Sequence, residues 1–257
     1  MKKPALSLCL ISCLTSGLLS PWAHAAPPQW VRGLVSTTPV QQERDRVVYN
    51  WRQRHAQVLA RNRKFQAQVV VIGDSIIHYW GGKPAAPRTV AQQAWERCFA
   101  NMPVTNLGFG WDRTENVLWR LEHGELDRLS PAVIVVLIGT NNISAHQSPE
   151  DIAAGIEAVC ALAHTKQPNA KLLLVGLLPR RDGKPQPPAI TDQVNQLLRT
   201  RFTDTPWLTF FDASSALRKV DGAVDDALYA DPVHINATGY AVFGAKLREQ
   251  LTRLLSP

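Results

Sequence analysis

Five short, largely apolar runs, with helix-length amphipathic stretches between and around them, constrain the fold of this 257-residue chain most tightly. The runs are Val69–Ile72, Val104–Leu107, Val133–Ile138, Lys171–Leu177 and Trp207–Phe211. Val69–Ile72 and Val133–Ile138 are apolar on every residue and Lys171–Leu177 on most, as strands buried on both faces are, while Val104–Leu107 carries Thr105-Asn106 between its apolar ends. Helical patterns cover residues 41–66, 149–166, 188–202 and 236–255. The second opens on Ser148-Pro149-Glu150-Asp151, a helix start signal. Alternation of this kind predicts an α/β chain, a three-layer α/β/α sandwich around a five-stranded parallel sheet. The proline-rich segment Pro179–Pro188 reads as a loop after the fourth strand. No internal repeat, linker or second domain is visible.

The start of the chain reads as a targeting segment rather than as part of this fold. Lys2-Lys3 is followed by a largely apolar, uncharged stretch over residues 4–20 and then by Ala23-His24-Ala25. This is the pattern of a secretory signal peptide over residues 1–25, cut after Ala25, with residues 26–257 forming one domain. The apolar stretch is too short and too interrupted for a membrane span. Leu10-Ile11-Ser12-Cys13 resembles a lipoprotein signal, but the apolar segment before Cys13 is very short. A periplasmic or secreted location is expected.

The formal charge is +7, and without Lys2 and Lys3 it falls by two, to +5. The basic residues are interspersed with acids, as in Arg44-Asp45-Arg46 and Lys246-Leu247-Arg248-Glu249. A solvated basic surface explains this better than nucleic-acid binding does. Cys9 and Cys13 belong to the leader. Cys98 and Cys160 remain, in no Cys-x-x-Cys or Cys/His metal spacing, so no zinc site is expected. The two can pair in an oxidising compartment or stay buried as free thiols.

The chemistry-bearing residues stand where the strand runs end. The first run stops at Gly73-Asp74-Ser75, which presents a hydroxyl at the carboxyl end of a strand, where open α/β sheets place their reactive groups. A serine needs a base to take its proton, and histidine oriented by a carboxylate is suited to it. Asp231 and His234 are three residues apart, just before the last helix, and Asn236 or Thr238 can cap that helix and hold the loop. The third run ends Gly139-Thr140-Asn141-Asn142, where an amide side chain can donate to a developing oxyanion. The second ends Asn106-Leu107-Gly108-Phe109-Gly110-Trp111-Asp112, whose glycines permit tight turns and leave N–H groups to point at a ligand. Taken singly, each is an ordinary turn. Three consecutive strands ending in a nucleophile, a backbone donor and an amide donor are not expected by chance.

These segments resemble the four sequence blocks of the SGNH (GDSL-type) hydrolase superfamily of serine esterases. Gly73-Asp74-Ser75-Ile76, Asn106–Trp111, Gly139-Thr140-Asn141-Asn142 and Asp231-Pro232-Val233-His234 follow in the family's order. The likeness is greatest to catalytic subunits of platelet-activating-factor acetylhydrolase isoform Ib and their bacterial relatives, through residues 111–126 and Gly176-Leu-Leu-Pro-Arg180. The resemblance implies a flavodoxin-like fold with Ser75 as nucleophile, His234 as base and then acid, and Asp231 as its orienter. It places the Ser75 N–H and the Asn141 side chain in the oxyanion hole. The family's glycine at the remaining donor position is Trp111 here. The donor is therefore the Trp111 N–H or, less favoured, the Gly110 N–H, with the indole walling the pocket.

Asp74 and Asn142 are expected to hold the loops by hydrogen bonds. His78, Tyr79 and Trp80 either line the substrate side or, for Trp80 above all, pack in the core. Trp119 and Leu121 read as core, and Asp212 as a structural hydrogen-bonding group. The expected reaction is hydrolysis of short-chain esters, acetyl foremost, of a lipid, a glycan or a small molecule, through an acyl-Ser75 intermediate. It calls for no metal, nucleotide or other cofactor. An O-acetyltransferase on the same site, or a non-catalytic lipid- or carbohydrate-binding protein, are the alternatives. The resemblance makes a homodimer conceivable.

Overall fold

The computed structural model describes residues 34–43, 48–181 and 189–256. The signal-peptide and lipoprotein segments, Arg44-Asp45-Arg46 and most of the proline-rich loop lie outside the described residues. Five parallel strands form one sheet: β1 (Val69–Gly73), β2 (Val104–Gly108), β3 (Val133–Leu137), β4 (Lys171–Val175) and β5 (Leu208–Phe211). Their order is β2-β1-β3-β4-β5, so the chain steps from β1 to one side and then crosses to the other. That reversal creates a switch point at the carboxyl ends of β1 and its two neighbours, the position where open α/β sheets bind their ligands.

The helices are α1 (Trp51–Asn62), α2 (Ser75–His78), α3 (Gln92–Cys98), α4 (Thr114–Glu122), α5 (Thr140–Ser144), α6 (Pro149–Lys166), α7 (Ile190–Arg201) and α8 (Ala237–Leu255). The long ones agree with the sequence pattern, with one difference. The predicted helix over 41–66 is shorter, because the Asn50 side chain caps α1 by accepting the Gln53 N–H at 2.8 Å, and residues 41–43 are not helical. The short helices α2 and α5, each following a strand end, have no apolar period for the sequence to reveal.

Successive strand residues pack into opposite layers. Val70 and Ile72 join Val58, Val117, Leu121, Ile156 and Leu198 of α1, α4, α6 and α7 in one core. Val69 and Val71 join Trp95, Phe243 and Leu247 of α3 and α8 in the other. This two-sided burial is why β1 and β3 read as unbroken apolar runs, whereas β2 buries Thr105 and Asn106. Cys160 belongs to the first core and Cys98 to the second. The sheet lies between them, both thiols are free, and burial pushes both up in pKa. No described helix is long and apolar enough to cross a membrane.

Two glycines bring the switch point together. A Cβ on Gly108 would collide with the His78 backbone nitrogen, so only glycine lets α2 lie directly against the end of β2. Gly139 has φ +125°, a conformation that frees the chain to turn from β3 into α5.

Candidate active site

Ser75 is the first residue of α2, immediately after β1. Asp74 caps that helix, accepting the Ile76 N–H at 3.0 Å. Ser75 is 7% exposed, and its Oγ lies 2.9 Å from Nε2 of His234, a residue 159 positions away in the chain. Nδ1 of His234 lies 2.7 Å from Oδ2 of Asp231. The other carboxylate oxygen of Asp231 accepts the N–H groups of Val233 and His234, each at 2.8 Å. With the Nδ1 proton donated to Asp231, Nε2 is left with its lone pair toward the serine hydroxyl. Partial burial raises the Asp231 pKa, but the two backbone N–H bonds and the His234 ring outweigh it and hold the carboxyl below its usual range.

The Asp231–His234 turn is closed by its own backbone. Ala230 N–H donates to the His234 carbonyl at 2.9 Å, and Tyr229 bridges Ile235. Asn236 caps α8 by accepting the N–H groups of Thr238 and Gly239. A short strap after β4 ties this turn to the rest of the site. Pro179 C=O accepts the Tyr229 hydroxyl at 2.7 Å, and Arg181 N–H donates to Pro232 C=O at 2.8 Å. Between them, Arg180 donates to the Thr140 carbonyl and hydroxyl and to Ser144 Oγ, all in α5.

Asn141, also in α5, donates one amide N–H to the Asp112 carbonyl at 2.9 Å. A second N–H remains on that nitrogen. Asn142 lies behind it, fully buried, with its amide bonded to Thr114 Oγ1, Glu115 Oε2 and Gln147 Oε1. Its oxygen accepts the Thr114 N–H, so it anchors α5 to the start of α4.

The loop after β2 is fixed from beneath. Gly110 C=O accepts from Gln42 and from the Tyr49 hydroxyl, both at 2.8 Å. Gly110 N–H donates to Nδ1 of His78 at 3.0 Å. That nitrogen is therefore committed to α2, and the Gly110 alternative for the oxyanion donor is occupied elsewhere. Trp111 follows with φ +65°, the left-handed conformation in which glycine is at ease, and it is 51% exposed. For a residue with a side chain that conformation costs about 1 to 2 kcal/mol.

Asp112 is fully buried and accepts from Trp51 Nε1 at 2.8 Å and Arg120 Nε at 2.7 Å. Burial raises its pKa to about 6 despite Arg120. Arg120 continues to Glu125, which also bonds His55 at 3.0 Å. Neither this buried network nor the bridging role of Arg180, which stands in the Gly176-Leu-Leu-Pro-Arg180 segment, has a local sequence signature; Asp112 lies two residues before α4 and Arg120 within it.

Trp80 is wholly core, stacked on Tyr240 and edge-on to Trp95, and does not line the site. Tyr79 is buried as well. Leu121 is core, with Trp119 packed against it. Asp212 bonds Arg199 and the Ser214 N–H, a structural role away from His234.

A parallel sheet with a serine, histidine and aspartate in hydrogen-bonded series at its switch point defines the hydrolase class of α/β protein. The GDSL-like Lipase/Acylhydrolase family profile matches residues 71–242, and the chain belongs to that family. It is 33% identical over 206 residues to the platelet-activating factor acetylhydrolase IB subunit alpha2 of Homo sapiens, covering 80% of this chain and 85% of that protein. It is 32% identical to the alpha1 subunit of Rattus norvegicus over 206 residues, covering 80% and 84%. In fold it is similar to a lipolytic G-D-S-L family protein from Veillonella parvula, with TM-score 0.60, 19% identity, and coverage of 72% of this chain and 98% of that one. It is also similar to an acetylxylan esterase from Geobacillus stearothermophilus, with TM-score 0.57, 16% identity, and coverage of 74% and 95%. The chain is a carboxylic ester hydrolase.

Proposed function

We propose that the protein hydrolyses short-chain esters, acetyl esters foremost, by two-step acyl transfer through Ser75. The observation that carries this reading is the Ser75 Oγ–His234 Nε2–Asp231 series, with distances of 2.9 and 2.7 Å. Ser75 Oγ attacks the ester carbonyl while His234 Nε2 takes its proton. The tetrahedral oxyanion is held by the Ser75 N–H, the Asn141 amide and the Trp111 N–H. Collapse expels the alcohol, which receives the proton from His234. Water then repeats the sequence on acyl-Ser75, releasing the acid and the free serine. Asp231, ionised at neutral pH, stabilises the imidazolium in both halves.

The acetyl preference is supported by the relatives' names and by how little of Ser75 reaches the surface. Residues 1–25 support export of the mature chain to the periplasm or beyond. The test is Ser75→Ala with p-nitrophenyl acetate and longer acyl homologues. Activity should fall by at least about a thousandfold with the fold unchanged. Turnover like that of the wild type would overturn the mechanism, and preference for long acyl chains would overturn the acetyl assignment.

A further inference from the structure

Two features beside the reacting groups take no part in that chemistry. The first is the Trp111 side chain. It stands half exposed on a left-handed backbone one residue from the His78-bonded Gly110, and its neighbour's carbonyl holds Asn141. Strain of this kind persists where a site uses the residue. An aromatic face half in water adds little to a folded core and offers a flat apolar surface to a ligand.

The second is a cavity of about 280 Å³ whose wall includes Tyr49, Asn50, Gln53, Arg54, Gln57 and His78. Tyr49 joins the two features, since its hydroxyl bonds the Gly110 carbonyl at 2.8 Å. The wall is mixed: Val48, Ala85, Ala86 and Pro87 give it apolar surface, and the start of α1 gives it hydrogen-bonding groups. Asn50, Gln53 and Gln57 carry amides, which both donate and accept, as a hydroxyl partner requires. Arg54 does not recruit an anion, because it is buried and spent on the carbonyls of Gly108, Pro84 and Asn106. His78 is 1% exposed, its Nδ1 is taken by Gly110, and its Nε2 has no partner among the described residues. A buried ring N–H of that kind is a donor lacking an acceptor.

We propose that Trp111 and this cavity form a glycan subsite, with a pyranose ring against the indole and the next sugar's hydroxyls held by Asn50, Gln53, Gln57 and His78. A lipid chain would need contiguous apolar surface. Among the described residues the exposed large hydrophobics are Val35, Val40, Val48, Val90, Trp111 and Val220; of these Trp111 stands in the loop after β2 and Val48 in the cavity wall, and the others belong to neither feature. A sugar needs one aromatic face and a set of mixed donors and acceptors, which is what this side of the site offers. The inference rests on Ser75 as the nucleophile and adds the alcohol half of the substrate.

The experiment uses the Ser75→Ala chain, so that binding is read without turnover. Acetylated xylobiose and a micellar ether lipid carrying one acetyl group are titrated by calorimetry. The disaccharide should bind, Trp111→Ala and the surface variant Gln53→Ala should each weaken it at least tenfold, and Trp111→Tyr should retain most of it. No disaccharide binding, binding indifferent to both Trp111→Ala and Gln53→Ala, or Trp111-dependent binding of the lipid alone would overturn the subsite. Fluorophosphonate labelling and p-nitrophenyl acetate hydrolysis by the wild type test Ser75 separately. If those succeed and the sugar fails, the subsite falls and the esterase reading stands.

Discussion

The Gly110 N–H donates to Nδ1 of His78 at 3.0 Å, which bonds the loop after β2 to the helix that begins with Ser75. Burial, then Arg54, Arg120 and Arg88, drive the His78 pKa down to about 2, so the ring stays neutral and Nδ1 remains an acceptor. Ser75 stands three residues before His78 and Trp111 one after Gly110, so this one bond ties the nucleophile's helix to the Trp111 loop.

Replacing His78 by phenylalanine keeps a ring but leaves the Gly110 N–H buried and unpaired. The expected cost is about 1 to 3 kcal/mol, with a fall of several degrees in Tm. Because the Trp111 loop loses its anchor to α2, kcat should fall more than KM rises. A kcat equal to that of the wild type would show that Gln42 and Tyr49 hold the loop unaided.

Trp111→Gly puts glycine where φ is +65°. Relief of the left-handed strain should stabilise the protein by about 1 kcal/mol, raising Tm by roughly 2 to 4 °C. Thermal unfolding measures this directly. A lower Tm would mean that contacts of the indole outweigh the backbone strain.

Asp74 is fully buried beside the nucleophile, and burial raises its pKa from 3.8 to about 7. The folded protein therefore keeps this proton to higher pH than the unfolded chain does, and the contribution of Asp74 to stability declines as pH rises from about 4 to about 7. Asp74→Asn retains an oxygen to cap the Ile76 N–H and has no proton to lose. Denaturant unfolding across that window should show the wild type losing stability relative to the variant. Parallel curves for the two proteins would place the Asp74 carboxyl in its ordinary range.

Arg180 reaches Thr140 and Ser144 from a strap whose neighbours, Pro179 and Arg181, bond the Asp231–His234 turn. It therefore sets the position of Asn141 relative to His234. Arg180→Ala should lower kcat about ten- to a hundredfold with KM little changed. Arg180→Lys should recover only part of it, since an ammonium cannot fork to both partners. Added guanidinium should restore activity to the alanine variant. Unchanged kcat would remove Arg180 from the positioning of the site.

The sequence by itself determined the strands, the long helices and the candidate nucleophile, base and orienter, because each has a local signature. Strands buried on both faces must be apolar throughout, as Val69–Ile72 is. Asp231 and His234 lie within one turn, so spacing alone allows their 2.7 Å bond. Asn236 and Ser148 cap helices through their own neighbours. Only the tertiary structure decided what depends on distant segments meeting. The order β2-β1-β3 set Trp111 and Asn141 on either side of Ser75 and separated Cys98 from Cys160 by the sheet. It committed the Gly110 N–H to His78, buried the Asp112–Arg120–Glu125 network under the loop, and put Arg180 across to α5. A turn residue's periodicity carries no record of which remote acceptor its N–H will find. That choice is made by where the sheet brings the strand ends together.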